Sequence, residues 1–157
     1  MDELTPNNIF ILTMLKNKPA ATASINGNSD NPGLFGEVNF YETQFGGIIV
    51  NAEIYGLPQS SDFYGFHIHE NGDCTPPFDK TGGHYNPDNL PHPFHAGDMP
   101  PLLGNNNGYA WLCFYDDRIS IDKIIGKSVI IHDMPDDFST QPSGSSGDKI
   151  ACGIIKA

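Results

Sequence analysis

The sequence has little positive charge: Lys and Arg number 8 against 19 Asp and Glu over 157 residues, a formal net charge of −11. That balance disfavours nucleic acid and anionic membrane surfaces as partners, since both repel an acidic protein. Long hydrophobic runs are missing too, and the longest, Ile9 to Leu15, is far too short to cross a bilayer. This run has the length of an export-signal core. However, Asp2 and Glu3 precede it where positive charge is expected, and no small-residue cleavage pattern follows closely. A cytoplasmic location is the expectation for the chain as it stands, and an exported, periplasmic one if a signal has been trimmed from it. Cysteine is scarce: Cys74, Cys113 and Cys152 form no CxxC pair and allow at most one bridge, which excludes a disulfide-built scaffold. Cys113 alternates within an apolar stretch and reads as a small buried residue.

What is present favours strands and turns. With 17 Gly, 13 Pro and 11% aromatic content, the chain is too aromatic for a disordered segment and too rich in turn formers for long helices. Period-two alternation recurs at Leu34 to Glu42, Ile48 to Tyr55, Phe63 to Glu70, Tyr109 to Asp116, Ser128 to Asp133 and Ile150 to Ile155. Ala21 to Ile25 can supply another strand, and Asp117 to Lys127 a short helical turn. Asn8 to Lys16 fits helix or strand equally. The length suits one domain with a real core, and the patterning makes it all-β. Two stretches resist the pattern, Asn71 to Asn107 and Asp133 to Lys149; long loops of this kind in a compact domain are usually functional.

The first of these loops carries a concentration of metal-ligand residue types. Five of the six histidines, His67, His69, His84, His92 and His95, fall within one short stretch that Asp98 closes. His67 and His69 are two apart in a strand pattern, so both leave the same face, roughly 6.6 Å apart at Cα, a span that two imidazoles can close on one ion. Alone, such a pair more commonly marks polar residues on the wet face of a strand. His92, His95 and Asp98, spaced by three, lie in a loop with Pro91, Pro93 and Gly97. Imidazoles with one carboxylate suit zinc, and imidazoles alone also suit copper. His132 ends an apolar strand and could join the same ion from an adjacent strand end. A nucleophilic Ser or Cys site is disfavoured: no G-x-S-x-G elbow occurs, and Cys74 sits in an acidic loop that would not favour a thiolate.

With these residues in view, the chain resembles the copper/zinc superoxide dismutases over about residues 20–157. The blocks are Gly65-Phe66-His67-Ile68-His69-Glu70, then Gly82-Gly83-His84-Tyr85-Asn86-Pro87 with His95-Ala96-Gly97-Asp98, and Gly147-Asp148-Lys149-Ile150-Ala151-Cys152-Gly153. Cys74, five residues after His69, and the paired glycines before His84 look more like the bacterial branch. The resemblance implies an eight-stranded antiparallel Greek-key β-barrel or sandwich with long metal-binding and electrostatic loops. It implies copper held by His67, His69, His84 and His132, with His84 bridging to zinc held by His92, His95 and Asp98. It also implies a Cys74–Cys152 disulfide, and Asp136 as a carboxylate joining a copper histidine to a zinc histidine. The reaction implied is disproportionation of superoxide to dioxygen and hydrogen peroxide, with His84 as proton donor beside the redox-active copper.

The substrate is an anion and the protein is acidic, so a local cation must draw it in. Lys149 occupies the position that the family usually fills with arginine, and Ser143 stands near a channel position usually held by threonine. Lysine keeps the charge but loses arginine's flat fork of donors, so activity is expected to be present and lower than in arginine-bearing relatives. A non-catalytic zinc- or copper-binding module of the same fold is the rival reading, and an interaction domain with incidental histidines a third. Residues 1–19 lie outside the resemblance; their apolar run could cover a barrel edge or join a dimer interface, so a homodimer is an open expectation.

Overall fold

The computed structural model describes residues 16–157. The apolar run Ile9 to Leu15, and nearly all of the undecided segment Asn8 to Lys16, lie outside the described residues. Among the described residues nine strands follow one another: β1 (Ala21–Gly27), β2 (Phe35–Glu42), β3 (Ile48–Tyr55), β4 (Phe63–Tyr64), β5 (Phe66–His69), β6 (Leu102–Leu103), β7 (Ala110–Asp116), β8 (Ser128–His132) and β9 (Lys149–Lys156). One helical turn, α1 (Ile121–Ile124), lies between β7 and β8, and a 3-10 turn covers Asp79–Thr81. The helical turn expected between Asp117 and Lys127 is therefore there.

Seven strands form one antiparallel sheet in the order β5-β8-β9-β1-β2-β3-β7, and β4 pairs with β6. The alternation in β1, β2 and β3 has a direct cause, since Ala21, Ala23, Ile25, Val38, Phe40, Val50, Ala52 and Ile54 all point into one core. Phe66 and Ile68 from one end of the sheet order and Ala110 from the other belong to the same cluster. A flat sheet of seven strands would separate those ends by roughly 29 Å, so a shared core requires the sheet to curl on itself. The chain passes from β3 to β5 at the opposite end of the order, returns to β7 beside β3, and crosses again to β8; such non-neighbour crossings make a Greek-key barrel.

The strand expected over Phe63 to Glu70 is broken at Gly65, which gives β4 to one pairing and β5 to another. A Cβ at Gly65 would come within 2.8 Å of Ser146 Cβ, so the 133–148 loop can approach there only because no side chain intervenes. In β5 and β8 every residue is buried, and alternation no longer separates core from solvent. Their inner face joins the core; the outer face carries His67, His69 and Ile130 and lies under the two long loops. Ile130 packs there with Phe78 and the Cys74–Cys152 disulfide as a second small apolar cluster.

Candidate metal centre

β5 presents His67 and His69 on one face, as the two-residue spacing requires. Its open edge is stitched to the first long loop: Tyr85 N donates to Ile68 O at 2.8 Å, Ile68 N to Gly97 O at 2.9 Å and Glu70 N to Gly83 O at 3.0 Å. This ladder brings His84 opposite His69 and Asp98 opposite His67. From the other side, β8 pairs with β5 so that His132 N donates to Gly65 O at 2.8 Å, and its ring sits 5.0 Å from that of His67 and 5.5 Å from that of His69. Ligand atoms of His67, His69, His84 and His132 lie within 4.8 Å of one another, as do those of His84, His92, His95 and Asp98. His84 belongs to both groups, and all seven residues are buried.

Four of the six rings are oriented by the far nitrogen. His69 Nδ1 donates to Gly82 O at 2.9 Å and His132 Nδ1 to Gly147 O at 3.3 Å. Asp136 accepts from His67 Nε2 at 2.7 Å through one oxygen and from His92 Nε2 at 2.9 Å through the other. Fixing these tautomers leaves the near nitrogens as bare acceptors. His67 Nδ1, His84 Nε2 and His92 Nδ1 are buried with no hydrogen-bond partner among the described residues. The Nε2 atoms of His69 and His132 face each other at 3.4 Å, although the far nitrogen of each ring already carries the proton. Converging lone pairs in a buried site require a cation between them. The donor set fits two ions: four imidazoles suit copper, and three imidazoles with the Asp98 carboxylate suit zinc.

The electrostatics favour this ligating state. Burial pushes the His67 imidazole down to about 4 against the opposing pull of Asp136, and burial with the neighbouring His67 pushes His132 to about 3. His69 is held well below its ordinary value by burial, then by His132 and His84. For Asp98, burial works upward, but the hydrogen bond with His84 and the nearby histidines bring the carboxyl below the usual range. Asp136 is lowered in the same way by His67, the Phe138 N–H and His92, against its burial.

A cavity of about 510 Å³ reaches this site; His69, His84 and His132 form its floor, and Ser143, Lys149 and Glu70 stand on its walls. Lys149, the first residue of β9, pairs across the sheet with His132. Burial lowers its ammonium pKa, and Asp79 opposes that effect. Cys74 and Cys152 are bonded. Cys113 is not the buried residue expected: it is half-exposed on the outer face of β7, between exposed Trp111 and Tyr115, because Leu112 and Phe114 take the inward positions.

Three contributors escaped the sequence reading. Gln141 clamps His92 at both ends, accepting from His92 N at 2.9 Å and donating to His92 O at 2.7 Å. Arg118 grips Asp116 and donates to the carbonyls of His95 and Asp98. Thr81, fully buried, contacts Lys149. Only Arg118 carried a signal, as the sole arginine in the sequence.

Comparison with known proteins agrees with this geometry. The profile of the family described as "Copper/zinc superoxide dismutase (SODC)" matches residues 34–155. "Superoxide dismutase [Cu-Zn] 2" of Aquifex aeolicus is 33% identical over 138 residues, 78% of this chain and 80% of that protein. "Superoxide dismutase [Cu-Zn]" of Legionella pneumophila is 33% identical over 142 residues, 86% of each. "Extracellular superoxide dismutase [Cu-Zn]" of Drosophila melanogaster is 34% identical, covering 81% of this chain and 78% of its own length. Among solved structures, a crystal structure of the clock protein EA4 superposes with a TM-score of 0.77 at 32% identity, covering 89% of this chain and 96% of that one.

Proposed function

Because the chain belongs to the copper/zinc superoxide dismutase family, and is accordingly an oxidoreductase with copper and zinc as cofactors, we propose a role for each of its site residues in dismutating superoxide. His67, His69, His84 and His132 hold copper, and His84, His92, His95 and Asp98 hold zinc. The observation that carries this assignment is the set of buried, unpartnered ring nitrogens turned toward one another. Copper would carry the electron given up by one superoxide to the next, whereas zinc, with its filled shell, would supply charge alone.

The remaining work belongs to the chain. Two superoxide anions and two protons give one dioxygen and one hydrogen peroxide, so the site must deliver protons. His84 is placed to relay a proton taken up from the cavity: it borders that cavity, and its Nε2, when not committed to a metal, has no partner among the described residues. Asp98 Oδ1 lies 2.7 Å from His84 Nδ1, so the two atoms would meet at the zinc position. Asp136 holds His67 and His92 in their ligating tautomers. Lys149 supplies the attracting charge and Ser143 lines the approach. Exchanging Lys149 for Met is expected to slow superoxide consumption and weaken its salt dependence, and Lys149→Arg is expected to quicken it. An arginine variant that is no faster would remove the reading of Lys149 as a looser dock.

Metal analysis followed by superoxide consumption after loading tests the whole assignment. One copper and one zinc per chain with rapid consumption is the expected result, and His132→Gln is expected to lose copper while keeping zinc. Full copper occupancy without consumption would favour the buffering module instead. The dismutase domain is taken as residues 20–157, supported by the pairing of β1, from Ala21, with both β2 and β9; residues 1–19 are an extension. As partners, superoxide suffices; nucleic acid and membrane surfaces are not expected. No helix among the described residues is long and apolar enough to cross a membrane. A homodimer is proposed, and sedimentation would test it. The Cys74–Cys152 bridge supports an exported, oxidising location over the cytoplasm, to be tested by trapping thiols in intact cells.

A further inference from the structure

We propose that Thr81 is a positioning residue for the reaction: its hydroxyl fixes the Lys149 ammonium at the mouth of the copper site. The inference rests on the reading of Lys149 as the attracting cation. An ammonium has three N–H donors. Lys149 Nζ directs them at Thr81 Oγ1 (2.9 Å), Gly82 O (3.0 Å) and Phe78 O (3.4 Å). The hydroxyl's own single proton goes to Phe78 O at 2.6 Å, and Thr81 is fully buried, so toward Lys149 it can act only as an acceptor.

Phe78 O also accepts the Thr81 backbone N–H at 3.1 Å. Its contact with the ammonium is thus the longest of the three and the one most readily exchanged for an anion. Two short bonds locate the charge, and the third donor serves the substrate. Gly82 O is shared with His69 Nδ1 at 2.9 Å, so one carbonyl ties the cation to a copper-site imidazole. The turn that carries Phe78, Thr81 and Gly82 packs against β9 through the Cys74–Cys152 bridge, three residues along the strand from Lys149.

The pairing has a chemical reason. A guanidinium carries five donors in a rigid fork and can be held by carbonyls alone, whereas an ammonium on a flexible four-carbon stem needs another fixed acceptor to stay in one place. Thr81 provides that acceptor, which makes lysine workable at a position where a planar group would otherwise be required.

The first test uses zinc-loaded, copper-free protein with 15N-labelled lysine. The Nζ–H signal of Lys149 is expected to be visible, through slow proton exchange, in the unmodified protein and in Thr81→Ser, and to vanish in Thr81→Val. In the copper- and zinc-loaded enzyme, Thr81→Val should lower kcat/KM roughly three- to tenfold, the loss of one ordinary hydrogen bond; Thr81→Ser should restore it. In a Lys149→Met background, Thr81→Val should change nothing further. If Thr81→Val does not fold, Thr81→Ala is read by the same criteria. A Thr81→Val protein that keeps both the lysine signal and the rate would overturn the proposal. So would one that slows the Lys149→Met enzyme as much as the parent, because the effect would then be structural. Lys149→Met as fast as the parent would overturn the reading of Lys149 itself, while the lysine signal would still report whether Thr81 holds the ammonium.

Discussion

Replacing Asp136 with Asn tests the site's internal logic, because one carboxylate serves both metal positions. Its two oxygens accept from His67 Nε2 at 2.7 Å and His92 Nε2 at 2.9 Å, and one of them also takes the Phe138 N–H at 2.7 Å. An amide has one acceptor oxygen, so it can satisfy only one imidazole. The other ring then meets an N–H donor, which favours the opposite tautomer and puts a proton on its metal-facing nitrogen. The two rings differ in how else they are held. His67 lies on β5 in register with Ile130, whereas His92 rides on a loop and, apart from Asp136, is met only by Gln141 at its backbone and by Asp98, 3.1 Å from its Nδ1, among the described residues. Zinc binding should therefore suffer more than copper binding. Outer partners of this kind are worth roughly 10- to 100-fold in metal affinity, about 1.4–2.7 kcal/mol. Competition against a chromophoric chelator, run separately for each metal on folded protein, measures the change. Asp136→Asn that binds both metals as tightly as the parent would refute the claim that this carboxylate sets the ring tautomers.

Two more expectations follow from the same contacts. Arg118 holds the backbone of His95 and Asp98 from an anchor on buried Asp116, so Arg118→Met should weaken zinc binding by about tenfold. Arg118→Lys should recover little, since one ammonium cannot serve the carboxylate and both carbonyls; chelator competition decides, and a methionine variant with parental zinc affinity would count against it. In metal-free protein, His67 near 4 and His132 near 3 lie below an unfolded value of about 6.5. Between those limits the unfolded chain binds more protons, so stability rises with pH and is lost as pH falls from about 6.5 toward 3. Melting temperature against pH in chelator should slope accordingly, and a flat profile over that window would contradict neutral burial of these rings.

The β3 strand, Ile48–Tyr55, was legible to the residue, because an inner face that alternates reports local geometry, and the H-x-H pair likewise put His67 and His69 on one face. The sequence could not show the break at Gly65, which follows from the approach of Ser146, eighty-one residues away along the chain. Nor could it show β6, since a two-residue ladder has no period. Alternation also misled at β5 and β8: the outer face that could have been wet is covered by loops, and those loops hold their place by bonding to β5 itself. The place of His132 at a strand end raised its convergence with His67 and His69 as one option, and only the family resemblance singled it out, because pairing between distant strands leaves no local trace. Gln141, Arg118 and Thr81 act through backbone carbonyls and a lysine, partners that no spacing rule can name in advance.

An acidic protein that attracts an anion needs its negative charge kept out of the approach. The 133–149 loop contains Asp133, Asp136, Asp137 and Asp148, yet none of them lines the cavity over the copper site. Asp136 is turned inward to His67 and His92. Asp137 accepts the N–H groups of Ser139 and Thr140 and both of their hydroxyls, which hold its carboxyl down at about 2, and Asp133 accepts the N–H of Asp148. Glu70, the one carboxylate on the wall, accepts the Gly83 N–H at 3.1 Å. Asp133, Asp137 and Glu70 each accept a backbone N–H and so order the loops; they keep their charge, and for the aspartates it is their placement off the cavity that limits repulsion. With a screening length of about 8 Å at physiological salt, remote carboxylates contribute little at the mouth. On the proposed reading, the ammonium of Lys149, apart from the imidazoles the only basic side chain on that wall, supplies the attracting charge against the Glu70 carboxylate that shares it. Its position, and not the net charge of the protein, is then expected to govern how fast superoxide arrives, and the salt dependence of Lys149→Met tests this.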